Sequence, residues 1–216
     1  MLSLGTCLKG VKTSYPTADP ILSPFMPISL RDVEPSDMDR LFQWRNEPEV
    51  DRWMYSVPPT YEANKAWFTA FLADPDRKGW IIMRDGQPCG SLTLEGLTGA
   101  QRRAKWGWYI GDAEARGRGA GRAAQLLGLD EAFGNYGLQK VWSEIRAENE
   151  TALKSQTWAG FRREGYLRRH AYKHGQFRDV ALMSILKEEW AARRPVVIKE
   201  LLASGLIDRR ERPRPA

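Results

Sequence analysis

The chain has 216 residues, of which 42% are hydrophobic and 28% charged, and its net charge is +6. One domain of this size buries most of its apolar surface, and the composition excludes disordered and disulfide-stapled proteins. The cysteines Cys7 and Cys89 lack metal-site spacing, and neither a cleavable leader nor a membrane-spanning run is evident. We therefore expect a cytoplasmic protein without a metal or a membrane contact.

The first part of the chain predicts a leader followed by a strand and two helices. Residues 1–25 show no periodicity, so we expect a poorly ordered leader. A strand is predicted at 28–33. Ser36 precedes an amphipathic stretch and predicts the N-cap of a helix that ends near Asn46. A second helix is predicted at 60–72.

The middle of the chain predicts a hairpin and an aromatic strand. Asp85 and Gly86 separate two strand-like segments, 80–83 and 89–94, and this dipeptide suits a tight turn. Residues 104–110 form an aromatic-rich strand. The later elements are a helix from about 119 to Tyr136, a strand at 140–147, a helix capped by Asn149, strands at 167–173 and 177–186 around a His174–Gly175 turn, and a helix at 187–204.

The segment 115–122, ARGRGAGR, combines three glycines with three arginines at a predicted helix start. Glycines let backbone N–H groups approach a phosphate closely. The helix start adds the positive end of its dipole, and the arginines add charged donors. This pattern indicates a diphosphate site.

The same letters also match another nucleotide-binding pattern. Residues 119–124 fit the G-x-G-x-x-G/A fingerprint of dinucleotide-binding proteins, with Glu144 as a candidate ribose ligand. That fingerprint directly follows a strand, whereas here the polar residues 111–115 intervene. We therefore favour coenzyme A over a nicotinamide dinucleotide. The bland alternative is a surface loop that caps a helix and binds nothing.

Two motifs together resemble a known superfamily. Arg116-x-x-Gly119-x-Gly121 after an aromatic strand, then Asn149-x-x-Ala152 and Gly160-Phe161, resemble the coenzyme-binding motifs of the GCN5-related N-acetyltransferases (GNAT). The resemblance implies a single α/β domain over 26–190, with a central, mixed, mostly antiparallel sheet flanked by helices. A C-terminal helix and basic tail would occupy 191–216.

The resemblance implies that acetyl-CoA is the co-substrate and that a strand edge and a loop bind it. Carried over to this chain, the cofactor-binding residues are Trp108, Tyr109 and Ile110 on the strand, Arg116, Gly117, Arg118, Gly119, Ala120, Gly121 and Arg122 in the loop, and Asn149. A strand N–H from Tyr109 or Ile110 would serve as oxyanion donor during direct transfer to an amine.

A narrower likeness concerns the acceptor. Trp44-Arg-Asn46, Pro48-Glu-Val50 and Trp53-Met-Tyr55, with the later 164–186 region, resemble nucleotide-sugar N-acetyltransferases of pseudaminic acid biosynthesis. The implied substrate is a UDP-linked amino sugar. The substrate-binding candidates are Arg45, Asn46, Trp53, Met54, Tyr55 and His170, because aromatic faces stack on rings and arginine pairs with phosphate.

The catalytic groups are less well marked. Many superfamily members have a tyrosine seven residues after the motif asparagine, where it protonates the departing thiolate; this chain has Gln156 there. Glutamine is not an acid, but its amide can hydrogen-bond the sulfur. Tyr166 is a candidate proton donor, alongside Tyr172 and water. Glu144 is a candidate base through a water, or merely a solvated strand residue.

Other functions stay open from the sequence. Ribosomal-protein N-terminal acetyltransferases share much of the second half, and an aminoglycoside acetyltransferase would have an acidic acceptor surface. The +6 charge also fits a nucleic-acid-binding module, although basic and acidic residues are interleaved. An inactive coenzyme-A-binding protein is a third option, and a homodimer is compatible with the resemblance.

Overall fold

The structure is a computed structural model that describes residues 27–207. The predicted leader and the basic tail therefore lie largely outside the described residues. The strands are β1 Ile28–Asp32, β2 Arg77–Arg84, β3 Gln87–Glu95, β4 Arg103–Ile110, β5 Lys140–Arg146, β6 Arg162–Lys173 and β7 Gln176–Leu186. The helices are α1 Met38–Asn46, α2 Pro48–Asp51, α3 Tyr61–Ala73, α4 Ala120–Asp130, α5 Glu150–Ala159 and α6 Lys187–Ala203.

Both predicted hairpins form around residues with positive φ. Asp85 and Gly86 have φ of 49° and 77°, which turns β2 into β3, and His174 and Gly175 have φ of 50° and 76° between β6 and β7. Two successive positive φ angles match the right-handed twist of the flanking strands. These turns confirm the two hairpins that the sequence predicts.

The strands of the described residues form one sheet in the order β1-β2-β3-β4-β5-β7-β6. Neighbours are antiparallel except β4 and β5, which are parallel. Only residues 103–105 of β4 pair with β5, at 140–142, while β4 stays paired with β3 up to Ile110. Beyond the paired residues the two strands diverge, and we call the gap between 106–110 and 143–146 the β4–β5 cleft.

Helices cover both faces of the sheet. Successive residues of a strand point to opposite faces, so Ile82 joins the main core, which contains Leu126 of α4 and Trp190 of α6. Ile81 joins a smaller core with Trp44 of α1 and Phe68 of α3. The predicted mixed α/β class with a mostly antiparallel sheet is thereby confirmed.

Two local predictions differ from the structure. The predicted N-cap at Ser36 is wrong, because a 3-10 turn at Pro35–Asp37 precedes α1. There the Asp37 carboxylate accepts the Glu34 N–H at 2.8 Å and pairs with Arg31 at 2.7 Å. The fourth helix also ends as a regular α-helix at Asp130 and continues as one π-helical turn, Glu131–Asn135.

Asp130 anchors the C-terminal helix. Its Oδ1 accepts the indole N–H of the fully buried Trp190 at 3.0 Å and also accepts from Arg194 Nε at 2.8 Å. Asp130 lies on the apolar side of α4, and these two hydrogen bonds offset the cost of removing its carboxylate from water. The contact fixes α6 against α4.

We predict that Asp130→Ala lowers the free energy of unfolding by about 2 kcal/mol, because Trp190 loses the acceptor of a buried N–H. Asp130→Asn retains one acceptor oxygen and should have a smaller effect. Urea unfolding followed by circular dichroism measures both. Equal stability of Asp130→Ala and wild type would contradict this role.

Candidate active site

A cavity of about 1050 Å³ is lined by the β4–β5 cleft and by elements on both sides of it. One part, which we call the glycine end, is lined by Gly117, Gly119, Gly121, Arg122, Asn149, Trp158 and the end of α6. The other part, the aromatic end, is lined by Arg45, Trp53, Met54, Tyr55, Trp67, Phe68 and Glu95. The cavity therefore joins the two groups of site residues that the sequence predicts.

The backbone of the glycine end suits a phosphate group. Gly117 has φ of 73°, and no atom lies within 4 Å of the position where a Cβ would be. Gly119 has φ of 85° and is the N-cap of α4, whose first N–H groups are free of intrahelical partners. A Cβ on Gly121 would lie 2.6 Å from the Trp108 ring. The loop therefore leaves room for a phosphate group to approach the backbone closely at Gly117.

The three arginines of the loop have different surroundings. Arg122 lines the cavity, and its guanidinium lies 4.9 Å from the centre of the Trp158 ring. Arg118 does not line the cavity and faces Glu114 at 3.6 Å. Of the three loop arginines, only Arg122 both lines the cavity and stacks on an aromatic ring.

Arg116 has partners within the protein. Its guanidinium donates to the carbonyls of Ile110 at 3.0 Å and Gly111 at 2.6 Å, and to the Glu47 carboxylate at 2.7 Å. It thus ties the end of β4 to the segment between α1 and α2. These contacts position the loop, and Arg116 also lines the cavity, so its predicted contact with a phosphate stays a prediction.

The far side of the cleft carries a hydrogen-bonded pair. Asn149 caps α5 by accepting the Ala152 N–H at 3.1 Å, which confirms its predicted N-cap position. Two turns further along, the buried Gln156 amide oxygen accepts a hydrogen bond from the Ser143 hydroxyl at 2.6 Å. Both Ser143 and Gln156 line the cavity, so a hydroxyl and an amide stand where the sequence predicts Gln156 alone.

Glu144 projects from β5 toward the aromatic end. Burial alone would raise the pKa of this carboxyl, but the Lys105 ammonium at 2.7 Å and a hydrogen bond from Tyr55 outweigh it and hold the pKa below its ordinary value. Burial and the neighbouring Glu144 charge raise the pKa of Tyr55. Glu144 is therefore an ionised acceptor at neutral pH, and Tyr55 a neutral phenol.

The aromatic end contains a cation without a complete set of partners. The Arg45 guanidinium stacks on Trp67, 4.2 Å from the ring centre, and its Nη1 is buried without a hydrogen bond. The Tyr109 hydroxyl is likewise buried without a partner. Burial lowers the pKa of Arg45, although Tyr109 and Glu95 nearby raise it. Such donors favour a ligand that brings oxygen atoms.

Besides Arg118, four predicted site residues lie outside the cavity lining. Tyr166 is half exposed and donates its hydroxyl to Asp179 at 2.8 Å. Asn46 donates to the Phe42 carbonyl at 2.7 Å within α1. His170 is exposed and meets Tyr55 edge-to-face at 6.4 Å between ring centres. Ala120 is buried at the start of α4 and does not line the cavity, whereas its neighbours Gly119 and Gly121 do.

The β6–β7 hairpin is fixed to α2 by an ionic contact. Lys173 Nζ donates to Asp51 Oδ1 at 2.5 Å, and His174 Nε2 lies 3.0 Å from Asp51 Oδ2. The hairpin residue His174 therefore has a carboxylate partner.

Within residues 27–207 no group of three or more potential metal ligands occurs, and no helix is long and apolar enough to cross a membrane.

Several site residues escape the sequence motifs. Ser143 and Lys105 come from strands, and Trp67 and Trp158 from helices; all four line the cavity. The alternation of side chains along β5 is the sequence signal that could have identified Ser143, because it places Ser143 and Glu144 on opposite faces of the strand. Trp67 and Trp158 fit an apolar helix face equally well as core residues, so no local signal identifies them.

The family model of the acetyltransferase (GNAT) domain matches residues 28–162. The chain belongs to this family. The match confirms the superfamily resemblance and the predicted enzyme class, an acetyl-CoA-dependent N-acetyltransferase acting on an amine. It covers the glycine loop, the β4–β5 cleft and the aromatic end, and it ends at the first residue of β6, before β7 and α6.

Individual relatives of this GNAT protein act on, or are named for, different amines. Spermidine N(1)-acetyltransferase of Escherichia coli K12 is 27% identical over 168 residues, covering 76% of this chain and 89% of the relative. YdaF of Bacillus subtilis, provisionally named a ribosomal N-acetyltransferase, is 28% identical over 172 residues, covering 76% and 93%. These relatives leave the acceptor of this chain open.

Solved structures share the fold. Spermidine N-acetyltransferase from Vibrio cholerae, in complex with CoA and spermine, has a TM-score of 0.72 and 21% identity, covering 76% of this chain and 98% of that one. The GNAT-type fold that the motifs predict is thereby confirmed.

We predict that Gly117→Ala costs about 1–2 kcal/mol of unfolding free energy, because a Cβ at φ of 73° is strained even in open space. Gly134→Ala is the matched control, since Gly134 has equally open surroundings without a positive φ. Thermal unfolding of both variants measures the difference. The prediction fails if Gly117→Ala is as stable as Gly134→Ala.

Proposed function

We propose that this GNAT protein transfers the acetyl group of acetyl-CoA to the amine of a nucleotide-linked amino sugar. The observation that supports this is the single cavity that joins a diphosphate-fitting loop to an aromatic pocket with an incompletely partnered arginine. The sequence likeness to acetyltransferases of the pseudaminic acid pathway agrees with such an acceptor.

Acetyl-CoA supplies an activated thioester, and the residues of the chain bind and orient the two reactants. Gly117, Gly119 and Arg122 would hold the diphosphate, and the unpaired edge of β4 at 106–110 would hold the arm that carries the acetyl group. Holding both reactants in one cavity contributes to the rate enhancement by orienting the amine toward the thioester.

Proton movement falls to groups on β5 and α5. Glu144 stays ionised at neutral pH and accepts the proton of the acceptor amine, directly or through a water. The Ser143 hydroxyl, which donates to Gln156 at 2.6 Å, is the nearest O–H group to the amide that replaces the usual tyrosine. We propose that Ser143 fixes the Gln156 side chain by donating to its amide oxygen, which leaves the Gln156 amide N–H groups to hydrogen-bond the departing sulfur.

The charges of the aromatic end favour an anionic acceptor. Three glutamates line the cavity on this side: Glu49, Glu95 and Glu144. Two of them are already paired, Glu49 with Arg52 at 3.3 Å and Glu144 with Lys105 at 2.7 Å. Arg45, in contrast, keeps an unpartnered Nη1 beside the aromatic rings. A phosphate or sugar oxygen at this position would satisfy a donor whose burial otherwise costs about 1–3 kcal/mol.

A polyamine is the second candidate acceptor. The spermidine acetyltransferases among the relatives favour it, and so does Glu95, which lines the aromatic end and makes no ion pair within 4.0 Å among the described residues. A polycation would pair with Glu95 but would meet Arg45 unfavourably.

The acceptor is tested by release of free thiol from acetyl-CoA with UDP-linked amino sugars, spermidine and an N-terminal peptide. We expect turnover with the amino sugars, and Arg45→Met to raise their KM by about 10- to 100-fold through loss of a charged hydrogen bond. The KM for acetyl-CoA should stay constant. Arg40→Met, on the exposed side of α1, is the matched control.

Turnover of spermidine alone, with Arg45→Met neutral or beneficial, would instead favour the polyamine. Binding of coenzyme A without any acetyl transfer would indicate an inactive coenzyme-binding protein.

The Lys105–Glu144 contact predicts a change in pH dependence. Lys105→Met removes the charge that holds the Glu144 pKa down, so burial then raises that pKa. We expect kcat to fall at a higher pH on acidification than in wild type, because the carboxylate is protonated earlier. Lys105→Arg preserves the charge and should keep the wild-type acid limb.

A pH–rate profile of kcat at saturating substrates measures this limb. Superimposable acid limbs for wild type and Lys105→Met would show that Glu144 does not take up the proton.

A further inference from the structure

The C-terminal segment 187–207, which consists of α6 and the turn that follows it, lies beyond the residues matched by the family model. We call it the C-terminal clamp. Trp190, Val197, Leu201 and Ile207 are all buried in the main core, so the clamp is an integral part of the domain. Near its end, Glu200, Leu201, Ser204 and Leu206 also line the glycine end.

The clamp contacts the start of α4. The Leu206 side chain packs so closely on Gly119 that a Cβ there would lie 2.3 Å from Leu206 Cδ1. Two features therefore favour glycine at position 119: its φ of 85°, and the Leu206 side chain, which occupies the space that a Cβ would need. The outer side of the phosphate-fitting loop is covered by the C-terminal clamp.

The clamp also contacts the end of α5. The Trp158 indole N–H donates to the Glu200 carboxylate, and Arg193 Nε donates to the Trp158 carbonyl at 3.0 Å. Arg193 also lies 3.4 Å from Glu200. Trp158 is thus held at both its side chain and its backbone by α6.

Trp158 in turn supports the cavity arginine. The Arg122 guanidinium lies 4.9 Å from the centre of the Trp158 ring, and both residues line the glycine end. A cation stacked on an aromatic ring is restricted in position and gains stabilisation. The chain of contacts runs from Glu200 to Trp158 and from Trp158 to Arg122.

The charge of Glu200 fits this role. A carboxylate lining an anion-binding cavity would repel a diphosphate, but Arg193 and the Trp158 N–H occupy it. Its function here is that of a hydrogen-bond acceptor facing Trp158 rather than of a ligand for the coenzyme.

We propose that the C-terminal clamp is part of the coenzyme site and sets its affinity for the diphosphate-bearing, nucleotide part of coenzyme A. Glu200 and Leu206 act as positioning residues: Glu200 orients Trp158 and Arg122, and Leu206 supports Gly119. The proposal rests on acetyl-CoA as the donor in the proposed function.

The test is calorimetric titration of the full chain with coenzyme A and with its nucleotide fragment, adenosine 3′-phosphate 5′-diphosphate. We expect Glu200→Ala and Leu206→Ala each to weaken both ligands by a similar factor, on the order of tenfold. Glu200→Gln keeps an acceptor for the Trp158 N–H and should restore affinity to near the wild-type value.

Matched controls come from exposed residues of the same types. Glu188→Ala removes an exposed carboxylate from the first turn of α6, outside the cavity lining, and Leu72→Ala removes an exposed leucine from α3. Both should bind the two ligands as wild type does. Melting temperatures of all variants establish that each is folded.

Unchanged affinity of Glu200→Ala and Leu206→Ala, with wild type binding normally, would overturn the clamp alone. Loss of coenzyme A affinity with unchanged fragment affinity would also overturn it, because the effect would then lie at the acetyl-bearing arm. Failure of wild type to bind coenzyme A would overturn the proposed function and the clamp with it.

Discussion

The short pairing between β4 and β5 is the constraint on which the site depends. Three residues of each strand pair and then the strands diverge, while their outer neighbours β3 and β7 keep pairing to the strand ends. A continuous sheet would have no room for a ligand between its strands, since strands lie about 4.8 Å apart. The divergence opens the sheet in its middle and lets one cavity reach both faces.

The two faces contribute different chemistry to that cavity. The face with α4, α5 and α6 supplies glycines, helix starts and Arg122, which suit a polyanion. The face with α1 and α3 supplies aromatic rings, Arg45 and Glu95. Because side chains alternate along a strand, Ser143 and Glu144 point to opposite faces from adjacent positions, Ser143 toward Gln156 and Glu144 toward Lys105.

Much of the fold follows from local sequence chemistry. The Asp85–Gly86 and His174–Gly175 turns and the Asn149 cap define their elements directly, because few other residues adopt those geometries. The start of α1 was mispredicted because two acidic residues, Glu34 and Asp37, compete with Ser36 to organise the turn. The short helix α2 carries little periodicity to detect.

The site was less predictable than the fold. The loop glycines could be recognised because Gly117 and Gly119 adopt positive φ angles that favour glycine. The arginines of the same loop differ only in the partners that their long side chains reach, which the sequence does not specify. Tyr166 was a plausible acid by residue type, yet the direction of β6 leaves it half exposed beside Asp179. The cavity role of Trp158 depends on α6, which is distant in sequence.

Arg116 gives the cavity a mechanical property. Its guanidinium holds two carbonyls at the end of β4 and the Glu47 carboxylate at the α1–α2 junction. At the same junction, Trp44 lies against Gly111, where a Cβ would be 2.2 Å from the ring. These contacts join the start of the glycine loop to the helix that carries Arg45, so the two ends of the cavity are mechanically linked through Arg116 and Trp44.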